Sequence, residues 1–261
     1  MNVLLLTMDE PMYMPQYIEP ILRARGDHIS EVVIAPHPGE GLPTIARQRY
    51  KMFGPIDFLR YGTKFGTGKL LAQLPAEIDR ALTGRCHSVP AVANQYDIPV
   101  RTETDINRPG FVSRIEDMDP DLILSVSCGQ LVKEDLLSIP EYGSINVHGS
   151  LLPKHRGRAA SFWALYEGDD ESGVTAHYMT DEFDDGDIVM QREFDIVSND
   201  TMDSVYRKVS KTGANLVVDL LDEIEDGEIT TTPNRTEEGE YRSLPGKEAR
   251  REFKQRGNEF L

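Results

Sequence analysis

The sequence predicts an α/β protein: a Rossmann-like doubly wound, mostly parallel sheet with helices on both faces, plus a small C-terminal extension. Two observations lead to this. Short apolar runs bounded by polar residues recur along the chain, beginning with NVLLLT at residues 2–7, the form taken by buried parallel strands. Between them lie segments with helical apolar spacing, and strands alternating with helices build a parallel sheet. The length of 261 residues suits one large domain or one domain with an appendage. We place a first domain at residues 1–200, with an insertion over about 40–90, and a C-terminal helix and extension at 201–261.

The elements follow in order. NVLLLT is the first strand, and the following MDEPMYMPQ has no glycine, which removes the dinucleotide fingerprint and argues against a dehydrogenase. Gln16 to Arg25 reads as a helix, and His28 to Ala35 as the second strand, ended by Pro36, Pro38 and Gly39. In the insertion, Thr44 to Met52 and Gly68 to Leu82 have helical character. GTKFGTGK at residues 62–69 imitates a phosphate loop, but its glycine spacing is wrong and Leu70 replaces the Ser or Thr. Cys86 and His87 have no third partner nearby. Helix at Ala91–Tyr96, strand at Ile98–Arg101 and helix at Phe111–Met118 lead to the clearest strand, Asp121–Ser127. Ser127 to Leu131 lies at its carboxyl end, where such sheets bind ligands and where glycine admits a close approach. A helical turn at Leu131–Leu137 and strands at Gly143–Val147 and Gly173–Met179 follow, with a helix at Ser161–Tyr166 between the strands. Gly186–Phe194 then returns antiparallel, and Thr201–Ile224 is a long amphipathic helix capped by Asp200 or Thr201. The remainder is polar and turn-rich, with a basic cluster at Lys247, Arg250, Arg251, Lys254 and Arg256 that reads as a solvated helix face.

Composition narrows the class. The chain carries 28 Lys and Arg against 44 Asp and Glu, a formal net charge of −16. The acids are spread over the whole chain, as in an acidic proteome adapted to high salt or in an ordinary acidic cytosolic enzyme. A negative field repels nucleic-acid backbone and counts against a tRNA or DNA partner, although high salt would screen it. No apolar run reaches the roughly 18 residues of a membrane helix. The N-terminus lacks a basic start and a cleavage site, so a cytoplasmic location is expected. The two cysteines, Cys86 and Cys128, form no metal spacing and no secreted disulfide scaffold.

The stretch from Ser144 to Asp187 concentrates the unusual chemistry. Asn146 and His148 stand two apart at a strand end and therefore share a face. A Leu-Leu-Pro turn with His155, Arg156 and Gly157 follows, then the lone Trp163 and an acidic loop from Asp181 to Asp187. A protonated imidazole and an amide N–H suit a developing alkoxide, and a nearby carboxylate would raise the imidazole pKa and hold the cation, or move a proton itself. No nucleophilic Ser or Cys and no metal spacing accompanies them. That pattern fits acyl transfer between two bound substrates, while a lone His is more often a satisfied core or capping residue.

Residues 143–191 resemble the signature of folate-dependent formyltransferases, the superfamily of methionyl-tRNA, glycinamide ribonucleotide and sugar N-formyltransferases. The match lies in INVHGSLLPKHRGRAA and GVTAHYMTDEFDDGDIV, and extends more weakly from Asn2 to about Ile229 through LSVSCGQLV. The resemblance implies Asn146, His148 and Asp184 as catalytic residues, with Asp181, Asp185 and Asp187 left as loop or surface acids. It implies 10-formyltetrahydrofolate as co-substrate, without a metal, in a pocket of Ser127, Cys128, Gly129, Gln130, Leu131, Thr180, Asp181 and Phe183. Asp184 would hold His148 protonated, Ser150 and Arg156 would shape the loop, His155 would face solvent, His177 would be core or pocket wall, and Trp163 would anchor the core. The expected reaction is formyl transfer to the primary amine of a small acceptor, phosphorylated or nucleotide-linked. The alternatives are methionyl-tRNA formylation, hydrolysis of the folate, and folate binding without catalysis. Expected partners are a small-molecule amine, with nucleic acid and membrane disfavoured and a homo-oligomer left open.

Overall fold

A computed structural model describes every residue except 39, 40 and 228, and leaves the side chain of residue 42 undescribed; Gly39, expected to close the second strand, lies outside the described residues. The chain opens with β1 (Val3–Thr7), α1 (Met14–Arg25) and β2 (Ile29–Ile34). The insertion is built from α2 (Leu42–Leu71) and α3 (Ala76–Thr83). Next come α4 (Val89–Asn94), β3 (Val100–Thr102), α5 (Pro109–Met118), β4 (Leu122–Val126), α6 (Glu134–Leu137) and β5 (Ser144–His148). Then follow β6 (Arg156–Gly157), α7 (Ala160–Glu167), β7 (Glu171–Tyr178) and β8 (Ile188–Asp195). The chain closes with α8 (Met202–Asp226), β9 (Tyr241–Arg242) and α9 (Lys247–Gln255).

Seven strands form one sheet in the order β3-β2-β1-β4-β5-β7-β8. The first five pair in parallel, whereas β7 and β8 run antiparallel, as the sequence predicted for the strand after the acidic loop. Strand order reverses between β1 and β4, so a crevice opens beyond their carboxyl ends. Alternating side chains feed two cores. Leu5, Val32, Leu124, Ile145 and Val147 face α1, α4 and α8, while Leu4, Leu6, Val33 and Ile123 face α5 and α6. Helix α8 therefore packs within the same hydrophobic body as the sheet. Its start is capped by Thr201, whose side chain accepts the Ser204 N–H at 3.2 Å.

The insertion departs from its expected helices at 44–52 and 68–82, and the rejected phosphate loop stays rejected. The insertion carries one long helix broken at Gly54, where φ is +75°, and residues 62–69 lie inside it. Their N–H groups are committed to the helix ladder, which leaves no cradle for a phosphate. The polar tail is anchored by Phe253 and Phe260, both fully buried against Met52, Phe53, Phe162 and Trp163. Of its basic cluster, Lys247, Arg251, Lys254 and Arg256 are exposed, as a solvated helix face requires, while Lys254 also pairs with Asp57 of α2 at 2.9 Å and Arg250 donates to the Lys51 carbonyl at 3.0 Å. His87 also has a place: its backbone N–H and Nδ1–H donate to the two carboxylate oxygens of buried Asp79 at 2.7 and 2.8 Å. Among the described residues, no helix is long and apolar enough to cross a membrane.

Candidate active site

The register of the sheet assembles the site. Ile145 and Val147 of β5 enter one core, which turns Asn146 and His148 to the opposite face. Asn146 stands beside Ser125 of β4 and His177 of β7, making a polar row across three strands. The Ser125 hydroxyl donates to Asn146 Oδ1 at 2.8 Å, and Asn146 Nδ2 donates to His177 Nε2 at 3.1 Å. His177 Nδ1 in turn donates to the Tyr178 carbonyl at 2.8 Å, which leaves Nε2 as the acceptor. The amide is thereby held in one orientation, with its second Nδ2–H uncommitted.

His148 is buried, and its Nε2–H donates to the His155 carbonyl at 3.0 Å. Its Nδ1 faces Asp184 Oδ1 at 3.4 Å. The Asp184 loop is fixed from several sides. Arg156 Nη2 donates to the Phe183 carbonyl at 2.9 Å and Arg156 Nε to the Asp184 carbonyl at 3.1 Å. The Gly157 N–H donates to Asp184 Oδ2 at 2.7 Å. A side chain at Gly157 is excluded, since a Cβ there would lie 2.3 Å from the Arg242 carbonyl oxygen. Asp184 itself adopts a left-handed φ of +51°, a conformation that Asp tolerates better than most residues.

Protonation follows from these contacts. Burial works to raise the Asp184 carboxyl, but His148, the His177 ring and the Gly157 N–H outweigh it and bring the pKa down to about 2. For His148 the balance runs the other way. Burial lowers its pKa from 6.5 and exceeds the opposing pull of Asp184, so the ring is neutral at pH 7. Asp184 therefore does not keep His148 charged, contrary to the expectation from the resemblance. The neutral imidazole and the ionised carboxylate together retain room for one proton between Nδ1 and Oδ1.

A cavity of about 500 Å³ opens beyond the ends of β4 and β5. Asn146, His148, His177 and Asp184 line it together with Ser127, Cys128, Gly129, Gln130, Leu131, Thr180 and Phe183. Asp181 is exposed and stands outside this wall; Glu182 takes its place. Two of the anticipated pocket residues have structural work as well. Gly129 is required by the neighbouring chain, because a Cβ would fall 2.6 Å from the His37 nitrogen. The Gln130 amide is spent on the Pro36 and Glu103 carbonyls, each at 3.1 Å, and on the Ile106 N–H. Burial pushes the Cys128 thiol up to about 11, so it is no nucleophile. The facing wall is apolar and aromatic, with Met14, Tyr17, Tyr206 and Val209.

Other residues of the motif are accounted for. Ser150 Oγ donates to the Lys154 carbonyl at 2.6 Å and shapes the turn. His155 is not solvent-facing: its side chain is mostly buried and pairs with Asp169 at 2.7 Å. Trp163 is buried and its Nε1–H donates to the Ser243 carbonyl at 3.0 Å. Ser125 was unmarked in the sequence, and His177 was left between core and pocket wall. Only the long-range register joins them to Asn146. Among the described residues, no group of three or more His, Cys, Asp or Glu side chains is arranged to hold a metal ion.

Comparison with known proteins adds to this geometry. A family profile described as "Formyl transferase" matches residues 66–221. A methionyl-tRNA formyltransferase of Citrifermentans bemidjiense is 38% identical over 141 residues, covering 54% of this chain and 44% of the relative. The chain spans about half the length of the curated relatives it matches. The crystal structure of glycinamide ribonucleotide transformylase 1 from Symbiobacterium toebii superposes with a TM-score of 0.61 at 14% identity, over 89% of this chain and 91% of that one. WlaRD, a sugar 3N-formyl transferase crystallised in the presence of dTDP and 5-N-formyl-THF, gives a TM-score of 0.56 at 18% identity, over 93% and 70%. At these identities the structural matches bear on the fold.

Proposed function

The chain belongs to the formyl transferase family, and from that premise we propose that it transfers a formyl group from 10-formyltetrahydrofolate to the primary amine of a small acceptor, phosphorylated or nucleotide-linked. The observation that carries this reading is the meeting of Asn146, His148 and Asp184 in one cavity at the strand ends. That cavity falls within the size range of small-molecule and cofactor sites. The segment at 127–131 and the residues Met179, Thr180, Glu182 and Phe183 line it, and their backbone donors and acceptors suit the edge of a pterin. WlaRD, described with a formylated folate present, supports the same donor class.

In this reading the acceptor nitrogen attacks the formyl carbon, and negative charge gathers on the formyl oxygen. The uncommitted Nδ2–H of Asn146 donates to that oxygen, from an amide already oriented by Ser125 and His177. His148 joins it by turning its Nε2–H from the His155 carbonyl to the alkoxide, a redirection of the kind that substrate binding brings about. The attacking amine must lose a proton and the departing N10 must gain one. The neutral His148 and ionised Asp184 have capacity for that single proton, taking it and returning it without net change.

A second reading has an aminoacyl-tRNA as acceptor. Relatives bearing the name methionyl-tRNA formyltransferase favour it, and with them in view the charge of −16 no longer sets nucleic acid aside. The test is to incubate the protein with 10-formyltetrahydrofolate and a panel of amino sugars, phosphorylated amines and methionyl-tRNA, following tetrahydrofolate release. Release that depends on one acceptor supports transfer and names the class. Equal release without any acceptor indicates hydrolysis, and absence of folate binding even in high salt overturns the proposal.

A further inference from the structure

We propose that Asn234, in the segment after α8, is a positioning residue for Asp184, so that the C-terminal extension completes the active site. This rests on the formyl-transfer reading for its rate prediction and on geometry alone for the rest. Asn234 Nδ2 donates to the Asp184 carbonyl at 3.0 Å, from 50 residues downstream. That carbonyl belongs to the one residue of the loop with a left-handed φ, and it receives two donors, Asn234 and Arg156. A left-handed aspartate is not a resting conformation of the backbone; it persists where neighbours fix both ends of its peptide.

A second connection runs through Gly157, whose N–H holds the Asp184 carboxylate. Gly157 pairs with Arg242 of β9, and the adjoining Arg158 N–H donates to the Arg242 carbonyl at 2.8 Å. Tyr241, the other residue of β9, sets its ring 6.4 Å from that of Phe183. The extension thus touches the Asp184 carbonyl directly and backs the donor to its carboxylate. It is itself a rigid support. Phe253 and Phe260 are fully buried, and the Glu259 and Phe260 carbonyls accept the Met202 and Asp203 N–H groups at 2.9 Å each.

The carboxylate oxygen that accepts from Gly157 is Oδ2, while Oδ1 faces His148. Rotation of the Asp184 peptide would weaken both contacts together. Asn234 therefore acts on the proton pair without touching substrate.

The experiment compares wild type, Asn234→Ala and Asn234→Gln by tetrahydrofolate release and by the exchange rate of the Gly157 amide in NMR. In Asn234→Ala we expect kcat to fall about tenfold, the effect of ~1.4 kcal/mol, with KM for the folate little changed. The Gly157 amide should exchange faster while amides of β1 and β4 keep their protection, and Asn234→Gln should recover part of both. Loss of protection throughout the sheet would mark a merely structural role and overturn the proposal. So would an unaltered Gly157 amide together with wild-type turnover. If wild type transfers no formyl group yet Gly157 responds, the functional reading fails and the positioning role stands.

Discussion

The two walls of the cavity are made in different ways. The wall of strand ends and the Asp184 loop is polar, and each functional group on it is tied to a named partner: Asn146 to Ser125 and His177, His148 to the His155 carbonyl, Asp184 to Gly157. The facing wall of α1 and α8, with Met14, Tyr17, Tyr206 and Val209, presents rings and aliphatic chains held by packing. The Asn146 amide, fixed by Ser125 and His177, suits chemistry because it needs no reorganisation when charge develops, whereas His148 must redirect its Nε2–H. A packed apolar wall suits selection, because its shape can vary without disturbing those groups. On the proposed reading, the polar wall carries the reaction and the apolar wall the acceptor choice, and the two would be separable by substitution.

Four predictions sharpen or break that division. Asn146→Ala removes a donor to the alkoxide and should lower kcat by about 10²–10³, the cost of one oxyanion donor, with little effect on folate affinity measured by titration. An unchanged kcat would leave the polar wall without its assigned role. Next comes pH. His148 acts neutral, and its pKa lies below 6.5, so activity should fall as pH drops through a midpoint below 6.5. Asp184, at about 2, stays ionised over that range and adds no limb of its own. Activity that instead rises as the solution is acidified would mean that the cation is the working form. Third, Tyr206→Ala should change KM for the acceptor by roughly tenfold, the range for a lost apolar contact, leaving kcat within about twofold; a selective loss of kcat would join the two walls functionally. Smallest of all, Cys128→Ala should leave turnover unaffected, since its thiol stays protonated well above neutral pH.

How far the sequence could be read depended on the range of the interactions involved. The strands and the Asn146 and His148 pair were legible because a period of two is local. The N-cap of α8 was narrowed to Asp200 or Thr201, and the structure seats it at Thr201. Asp184 was separable from its acidic neighbours only by resemblance. The physical distinction lies in a φ of +51° and a donor from Gly157, 27 residues upstream, neither of which leaves a local mark. Ser125 and His177 join Asn146 through strand register, which nothing in their own segments encodes. The anchoring of the tail was not legible because Phe253 and Phe260 stand singly in a polar segment, Phe260 beyond the end of α9, and their partners are distant in sequence. One partner is Phe162, whose ring stacks 4.5 Å from that of Phe253. The charge of −16 spoke of the surface and left the buried histidine to the balance of burial against a carboxylate.

The central claim is that the polar wall performs acceptor-dependent transfer through the His148–Asp184 pair. It is tested most directly by single-turnover release of tetrahydrofolate in wild type and Asp184→Asn, each saturated with 10-formyltetrahydrofolate and the best acceptor. The account predicts equal folate binding in both and a release rate lower by about 10²–10⁴ in the variant, the range for loss of a proton-transfer group. Equal rates in the two proteins would contradict it.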